Sequence, residues 1–372
     1  MASFVTSIHV KFKKDKQPKQ ISYVVKITPC REVKEWASIL PIMFEKEGKF
    51  YMELLPELNK FMTESEQNIL PFPKCYYAQY EIGKEMLIFE DLRLKKFKMI
   101  DRRKGMDLQH ASLVIQGLGH FHAASSLLLK KNSMDDLKSR YPFLFCEMYF
   151  EGLVIDQMCA PTISTAKEIL SKVGGHEKAI NWLDKQQQNI HEFFEMNYAS
   201  CPPFNAICHG DCWNNNVLFR YDEEGLPVEV MLLDLQVNRM VSLATDLNHF
   251  IFASIEGPVR KPNIGQLLND YYASFSSVIE GYGENLPFTK EELVQEFRNK
   301  NAYGLIMGNI YVPTVIMETE DVPDLENIEP GKMEEFMQDW CQNAVTSIEK
   351  NPACKPRFVA MYDEMLEEGL FN

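Results

Sequence analysis

An apolar run, Ala206-Ile-Cys208, leads into His209-Gly210-Asp211. Asn216 follows Asp211 at a D-x-x-x-x-N spacing, and a second apolar run, Met231-Leu-Leu233, closes on Asp234. Acids at the ends of apolar strands restrict what this chain can fold into, because an ionised carboxylate is costly to take out of water without a cation partner. A simple alternative keeps Asp211 and Asp234 as turn residues and Asn214 to Asn216 as a polar loop. The chemistry that needs the full set is phosphoryl transfer from ATP. One carboxylate accepts the proton of an attacking hydroxyl, while a carboxylate and an amide oxygen hold Mg2+. Neighbouring strands of one hairpin, about 5 Å apart, would present all three groups at one end.

The rest of the chain reads as a small sheet followed by helices. Phe4, Thr6, Ile8, Val10 and Phe12 alternate with Val5, Ser7, His9 and Lys11, the pattern of a half-buried strand. Residues 13–20, with Pro18, read as a turn, and residues 21–27 alternate again, placing Ser22, Val24 and Lys26 on one face. Two helical segments broken by Pro41 and Gly48 carry Glu47, Phe50 and Tyr51, and residues 86–90 form a short strand. Residues 108–129 read as a long helix with Ala111, Val114, Leu118, Phe121 and Ser125 on one stripe. Helical patterns recur over 177–197, 290–305, 332–349 and 356–368, and a strand-rich island with a turn at Asp222 to Gly225 spans 206–235. This order predicts an α+β bilobal fold. Residues 1–90 would form a nucleotide-binding lobe and residues 91–372 a larger, mainly helical catalytic and acceptor-binding lobe.

Composition narrows the function classes. With 372 residues, 45% of them hydrophobic, the chain can fill a large core, which excludes global disorder. Its 39 basic and 53 acidic residues leave a charge of −14, against what a surface built to neutralise phosphate backbones requires. Nine cysteines (Cys30, Cys75, Cys146, Cys159, Cys201, Cys208, Cys212, Cys341 and Cys354) form no C-x-x-C, which fits a reducing compartment. No apolar run reaches the ~18 residues of a membrane span, and the lysines of the N-terminus follow its apolar stretch, unlike a secretory leader. A cytoplasmic protein is expected, with a small-molecule alcohol as partner, no nucleic acid, no membrane span and no obligate protein partner. Glu318, Glu320, Asp321, Asp324, Glu326 and Glu329, with Pro323 and Pro330, read as a solvated acidic loop.

The segment His209-Gly-Asp-Cys-Trp-Asn-Asn-Asn-Val-Leu-Phe219 resembles the H-G-D-x-W-x-N-N of the ecdysteroid kinase-like (CHK kinase-like) family, relatives of aminoglycoside phosphotransferases and choline kinases. Leu232-Leu-Asp-Leu-Gln236 is similar to its D-F-Q, and Met86-Leu-Ile-Phe-Glu-Asp-Leu92 to its E-D-L hinge. Leu118-Gly-His-Phe-His-Ala-Ala-Ser125 resembles its L-A-x-F-H-A-x-S helix, and Glu47-Gly-Lys-Phe-Tyr51 its E-x-x-x-Y helix. The resemblance covers nearly the whole chain. It implies a protein-kinase-like fold and an ATP-dependent, Mg2+-requiring phosphotransferase acting on an ecdysteroid or another lipophilic alcohol. It implies that Asp211 is the catalytic base, that Asn216 and Asp234 hold Mg2+, and that Lys26, paired with Glu47, reaches the α- and β-phosphates. Phe89, Glu90, Asp91 and Leu92 would form the adenine hinge. His209 and Asp246 would support the catalytic loop, although Asp246 reads equally well as a helix N-cap.

The chain also departs from the family pattern. Kinases cover the phosphates with a glycine-rich turn, whereas the first glycine here is Gly48. Phe4-Val-Thr6 resembles the end of the family's N-Y-x-S phosphate loop, which puts Thr6 near the phosphates and Met1 inside that loop. Fewer backbone N–H donors should weaken nucleotide binding. This departure leaves a second reading, a pseudokinase or ligand-binding protein, and the acidic loop leaves a third, a choline- or aminoglycoside-type kinase with a cationic acceptor. Tyr141, Phe143, Phe145, Tyr149 and Phe150 either line an apolar acceptor pocket or belong to the core. Gln236, where choline kinase relatives carry an acid, either reduces contact with a second metal or bonds neighbouring backbone. His120 and His122, two residues apart, face different ways as core histidines. Cys208, His209 and Cys212 lack the second ligand pair of a zinc site.

Overall fold

A computed structural model of the chain describes residues 3–14, 16–28, 38–62, 69–145, 155–318, 320, 322, 332–351 and 354–372. Cys30, Cys146, Tyr149, Phe150 and the acids Asp321, Asp324, Glu326 and Glu329 lie outside the described residues, as does Met1.

The N-terminal alternation folds as an antiparallel hairpin of β1 (Phe4–Lys14) and β2 (Gln17–Ile27), in register from Phe4↔Ile27 to Lys14↔Gln17. The ladder runs further than the expected turn over 13–20 allows. Polar side chains are compatible with a strand open to water on both faces, so only the tip needs turn chemistry, and Lys16 (φ 63°) takes the left-handed position there. β2 pairs with β4 (Met86–Glu90), which pairs with β3 (Cys75–Gln79), giving a sheet of order β1-β2-β4-β3. β3 is half-buried to exposed along its length and carries no alternating pattern, which is why its sequence does not announce it.

α1 (Ile39–Lys49) runs through both expected breaks. Pro41 lies in the first turn, where a missing N–H leaves no intrahelical bond unmade. Gly48 lies against the Tyr80 ring, where any Cβ would collide. The chain continues through a π-helical turn (Phe50–Leu54) that buries Phe50, Tyr51 and Leu54.

Beyond the sheet the molecule is mostly helical, with α2 (Leu108–Lys131), α3 (Ala160–Val173), α4 (Glu177–Gln188), α5 (Ile190–Tyr198), α6 (Ala244–Ser254), α7 (Gly257–Gly281), α8 (Lys290–Asn299), α9 (Asn301–Ile316), α10 (Met333–Lys350) and α11 (Cys354–Glu367). The helix expected over 177–197 is two helices meeting at Asn189, and that expected over 290–305 breaks at Lys300. Thr289 starts α8 with a reciprocal capping box to Glu292. A continuous core joins Leu87 and Phe89 of the sheet to Val114 and Phe121 of α2, Phe250 of α6 and Tyr271 of α7. α9 is apolar on all sides and buried over most of its surface, as befits a helix enclosed by others. Tyr141 and Phe143 belong to this core, edge-on to each other at 6.0 Å, and Phe145 packs against it. Among the described residues no helix is long and apolar enough to cross a membrane, and the described cysteines are free thiols.

The strand-rich island is two ladders, not the single hairpin expected. β5 (Asn205–Cys208) pairs with β8 (Arg239–Ser242), while β6 (Val217–Tyr221) pairs with β7 (Pro227–Leu232). The architecture is α+β, an antiparallel sheet followed by a largely helical region.

Candidate active site

The β6–β7 hairpin brings two of the sequence-predicted groups to one end. Asn216 precedes β6, Asp234 follows β7, and the Leu233 N–H donates to the Asn216 carbonyl at 2.9 Å. Asp234 itself is left-handed (φ 68°). That conformation costs a non-glycine residue about 1–2 kcal/mol and is tolerated best by Asp and Asn. Asp211 arrives from the other ladder, on the loop leaving β5. Gly210 makes the turn at φ 81°, where a Cβ would strike the Val237 carbonyl. Asn216 ties the two ladders together: its Nδ2 donates to both the backbone carbonyl and Oδ2 of Asp211, each at 2.8 Å.

Asp246 fixes that loop from the first turn of α6. Its Oδ2 accepts the His209 N–H at 2.6 Å and its Oδ1 the Gly210 N–H at 2.9 Å. The cap position of α6 belongs to Leu243, and Asp246 lies inside the helix. His122 of α2 holds the carboxylate in turn, with Nε2 3.1 Å from Asp246 and Nδ1 2.9 Å from the Tyr271 hydroxyl. His122, Cys208 and Asp246 are the one grouping among the described residues whose ligand atoms lie within 4.8 Å of one another. These contacts already engage His122 and Asp246, so the cluster works as a brace. Cys208 and Cys212, on either side of the loop, are fully buried.

Lys26 reaches this centre from β2. Its Nζ lies 2.5 Å from Glu47 Oε2 of α1 and 2.6 Å from Asp234 Oδ1, with Gln236 Oε1 at 3.5 Å. Gln236 thus turns toward the ammonium at the limit of hydrogen-bonding range. α1 is held in place by packing of Ile39, Leu40 and Met43 against Val237 and by the Asn238 amide on the Lys46 carbonyl. Burial alone would strip the Lys26 proton, but Asp234 and then Glu47 overcome it and hold the ammonium above its usual range. Burial pushes Glu47 up to about 7 against the pull of Lys26. Burial first, and then the charge of Asp234, push Asp211 up to about 7, although Tyr311 and Asn216 stabilise its ionised form. In Asp246 burial is outweighed by His122 and the backbone donors, so its carboxyl sits at about 2.

Two carboxylates, Glu47 and Asp234, thus share one lysine, the charge of Asp234 also bears on Asp211, and the side chain of Asp234 remains 28% exposed. Oxygen donors with surplus negative charge suit a hard divalent cation. Asn216, whose amide nitrogen is committed to Asp211, has its carbonyl oxygen to offer. The residues present fit Mg2+.

The family profile described as ecdysteroid kinase-like matches residues 1–283. The chain belongs to the ecdysteroid kinase-like family. No curated protein matches it. Among solved structures it is similar to an ethanolamine kinase of Plasmodium vivax (12% identity, 92% of this chain and 81% of that one, TM-score 0.46). It is also similar to a choline kinase of Cryptosporidium parvum Iowa II (10%, 98% and 91%, TM-score 0.47). A third is a thermostable aminoglycoside phosphotransferase mutant solved with ADP and hygromycin B (11%, 93% and 93%, TM-score 0.34). An antiparallel sheet followed by a helical region is the α+β, protein-kinase-like architecture expected of the family.

The remaining family positions fall as follows. Phe89 is buried at the end of β4, and Glu90 accepts the Lys74 N–H at 3.0 Å and pairs with Lys95 at 2.6 Å. Asp91 caps the 3-10 turn Leu92–Lys95, accepts the Ser22 hydroxyl at 2.5 Å, and is held well below the usual carboxylate range chiefly by Arg93. Thr6 is an exposed strand residue opposite Val25. His209 is fully buried, and burial pushes its imidazole down. Sequence reasoning missed a ring cluster beside Asp211. Tyr311 of α9 donates to Asp211 Oδ1 at 2.5 Å, and its ring lies 4.8 Å from Trp213 and 4.6 Å from His249. Trp213 stands in the quoted H-G-D segment and could have been singled out. Tyr311 is distant in sequence and sits in an apolar helix, with no local signal.

Proposed function

We propose that this protein is an ATP-dependent phosphotransferase that moves the γ-phosphate to a hydroxyl of a small molecule. The observation that carries it is the convergence on Asp234 of Lys26 from the sheet, Glu47 from α1 and the charge of Asp211 from the β5 loop. Lys26 would bind the α- and β-phosphates, held by Glu47, and a triphosphate would take over the Asp234 arm of its bridge. Asn216 and Asp234 would hold Mg2+, which when bound neutralises charge on the phosphates. Asp211 accepts the proton of the acceptor hydroxyl at Oδ1 while Asn216 fixes the other carboxylate oxygen. Phe89, Glu90, Asp91 and Leu92 would receive the adenine through backbone groups, with residues 1–90 as the nucleotide lobe and 91–372 as the catalytic and acceptor lobe. Positioning and electrostatics supply most of the rate in such a reaction, since its loose transition state leaves little covalent work.

The acceptor we infer is a lipophilic alcohol, ecdysteroids included. Family membership supports this, and so does the apolar wall that Trp213 and Tyr311 set beside the base. The test is transfer of labelled phosphate from ATP across sterols, amino alcohols and aminoglycosides. Asp211→Asn should lower kcat by about 10²–10⁴ with the fold intact. Unchanged transfer by that variant would remove the assignment, and exclusive labelling of amino alcohols would replace the lipophilic acceptor with a cationic one.

A further inference from the structure

The phenol of Tyr311 stands where an acceptor hydroxyl must stand. Asp211 has two oxygens; Oδ2 takes the Asn216 amide at 2.8 Å and Oδ1 takes the Tyr311 hydroxyl at 2.5 Å. The ring is wedged between Trp213 of the catalytic loop and His249 of α6, so the hydroxyl is aimed by packing. His249 is fully buried, and its ring serves here as a flat wall against Tyr311. A hydroxyl that approaches Oδ1 to give up its proton has to compete with this phenol for that oxygen.

We propose that Tyr311 is a positioning residue that guards the base against water, so that ATP is spent on the acceptor and not on hydrolysis. The inference rests on the reading of Asp211 as the base. Water and an acceptor alcohol offer the same O–H, but they differ in what else they bring. A lipophilic alcohol can pack its apolar body against the Trp213 and Tyr311 rings, and that remote binding energy can drive the phenol off Oδ1. Water has no such body and leaves the phenol in place. The reaction being suppressed is balanced and simple. The water oxygen bonds to the γ-phosphorus, the bond from phosphorus to the bridging oxygen breaks with its electron pair leaving on ADP, and the proton of the water passes to Asp211 Oδ1.

The test needs no knowledge of the acceptor. ADP release is measured with Mg2+ and ATP, water being the one phosphate acceptor added, for wild type, Tyr311→Phe, Asp211→Asn and the double variant. Removing the guard should raise ADP release at least about ten-fold, part of the 10²–10⁴ that general-base catalysis supplies. Adding Asp211→Asn should abolish the gain. A residue of purely structural importance would lower the rate when replaced. Should thermal unfolding show Tyr311→Phe to be misfolded, Tyr311→Leu, which removes ring and hydroxyl together, must give the same rise. ADP release no higher than wild type in the folded Tyr311 variants, with Asp211→Asn still slowing phosphate transfer, overturns the guard and leaves the base standing. Equal rates with and without Asp211 in both backgrounds remove the base reading and the guard with it. A phosphate found on Tyr311 itself would make it an acceptor and overturn its role as guard.

Discussion

Asp211 holds its proton more tightly in the folded chain than in the unfolded one. Its carboxyl rises to about 7, burial and then Asp234 being the causes, against about 3.9 for a free Asp side chain. Between those values the native state binds more protons, so the unfolding free energy falls as pH rises, and the full penalty is present above about 7. Glu47, also raised to about 7 by burial, contributes with the same sign. Urea unfolding of metal-free protein should therefore show stability declining from pH 5 to pH 8. Asp211→Asn should flatten part of that slope and gain on wild type toward pH 8. An identical slope in both proteins would contradict the electrostatic account of the site. Asp246 behaves oppositely: lowered to about 2, it contributes stability above the ordinary carboxylate range that is lost as pH falls through about 2. At this scale the sequence displays what is local. Asp211 and Asp234 stand out because acids close apolar runs, and Asn216 by its spacing from Asp211, whereas Tyr311 is hidden because its contact joins residues a hundred positions apart.

Elements were legible where their faces differ and obscure where they do not. β1 and β2 alternate and were found, but the hairpin reaches Lys14 and Gln17 because lysines and glutamines in an exposed strand look like loop. α7 is a 25-residue helix with no counterpart among the expected patterns, since Gly257, Pro258, Pro262 and Gly265 punctuate its first turns. The island at 206–235 was correctly read as strands but paired wrongly, because the partner of β5 is β8, beyond the second acid. α6 has an element-scale duty that can be tested. Asp246→Ala would leave the His209 and Gly210 N–H groups and His122 without their carboxylate. Breaking a buried arrangement of this kind costs about 3–5 kcal/mol. Thermal unfolding should show a clear drop in Tm, and phosphate transfer should fall with it. A Tm like that of wild type would mean that the loop holds its shape without α6.

Across the whole molecule, the family profile ends at residue 283 while the structure continues through α8 to α11. That last part is bound into the rest by a buried ion pair. Arg260 of α7 donates to both Glu364 oxygens of α11 at 2.8 and 2.9 Å, and its third nitrogen donates to the Ile255 carbonyl at 2.7 Å. With Arg260 almost fully enclosed, Glu364→Ala strands a charge and should cost about 3–5 kcal/mol, read by urea unfolding. A loss under about 1 kcal/mol, the range of surface pairs, would show that α11 stays docked without this pair.

The thiols of Cys208 and Cys212 bracket the Asp211 loop from inside the protein, and burial pushes both well above the ordinary thiol range. Only a thiolate attacks an alkylating reagent. Each of these sulfurs stays silent until the loop parts from its brace, so their rate of modification clocks how often the site comes open in an otherwise folded molecule.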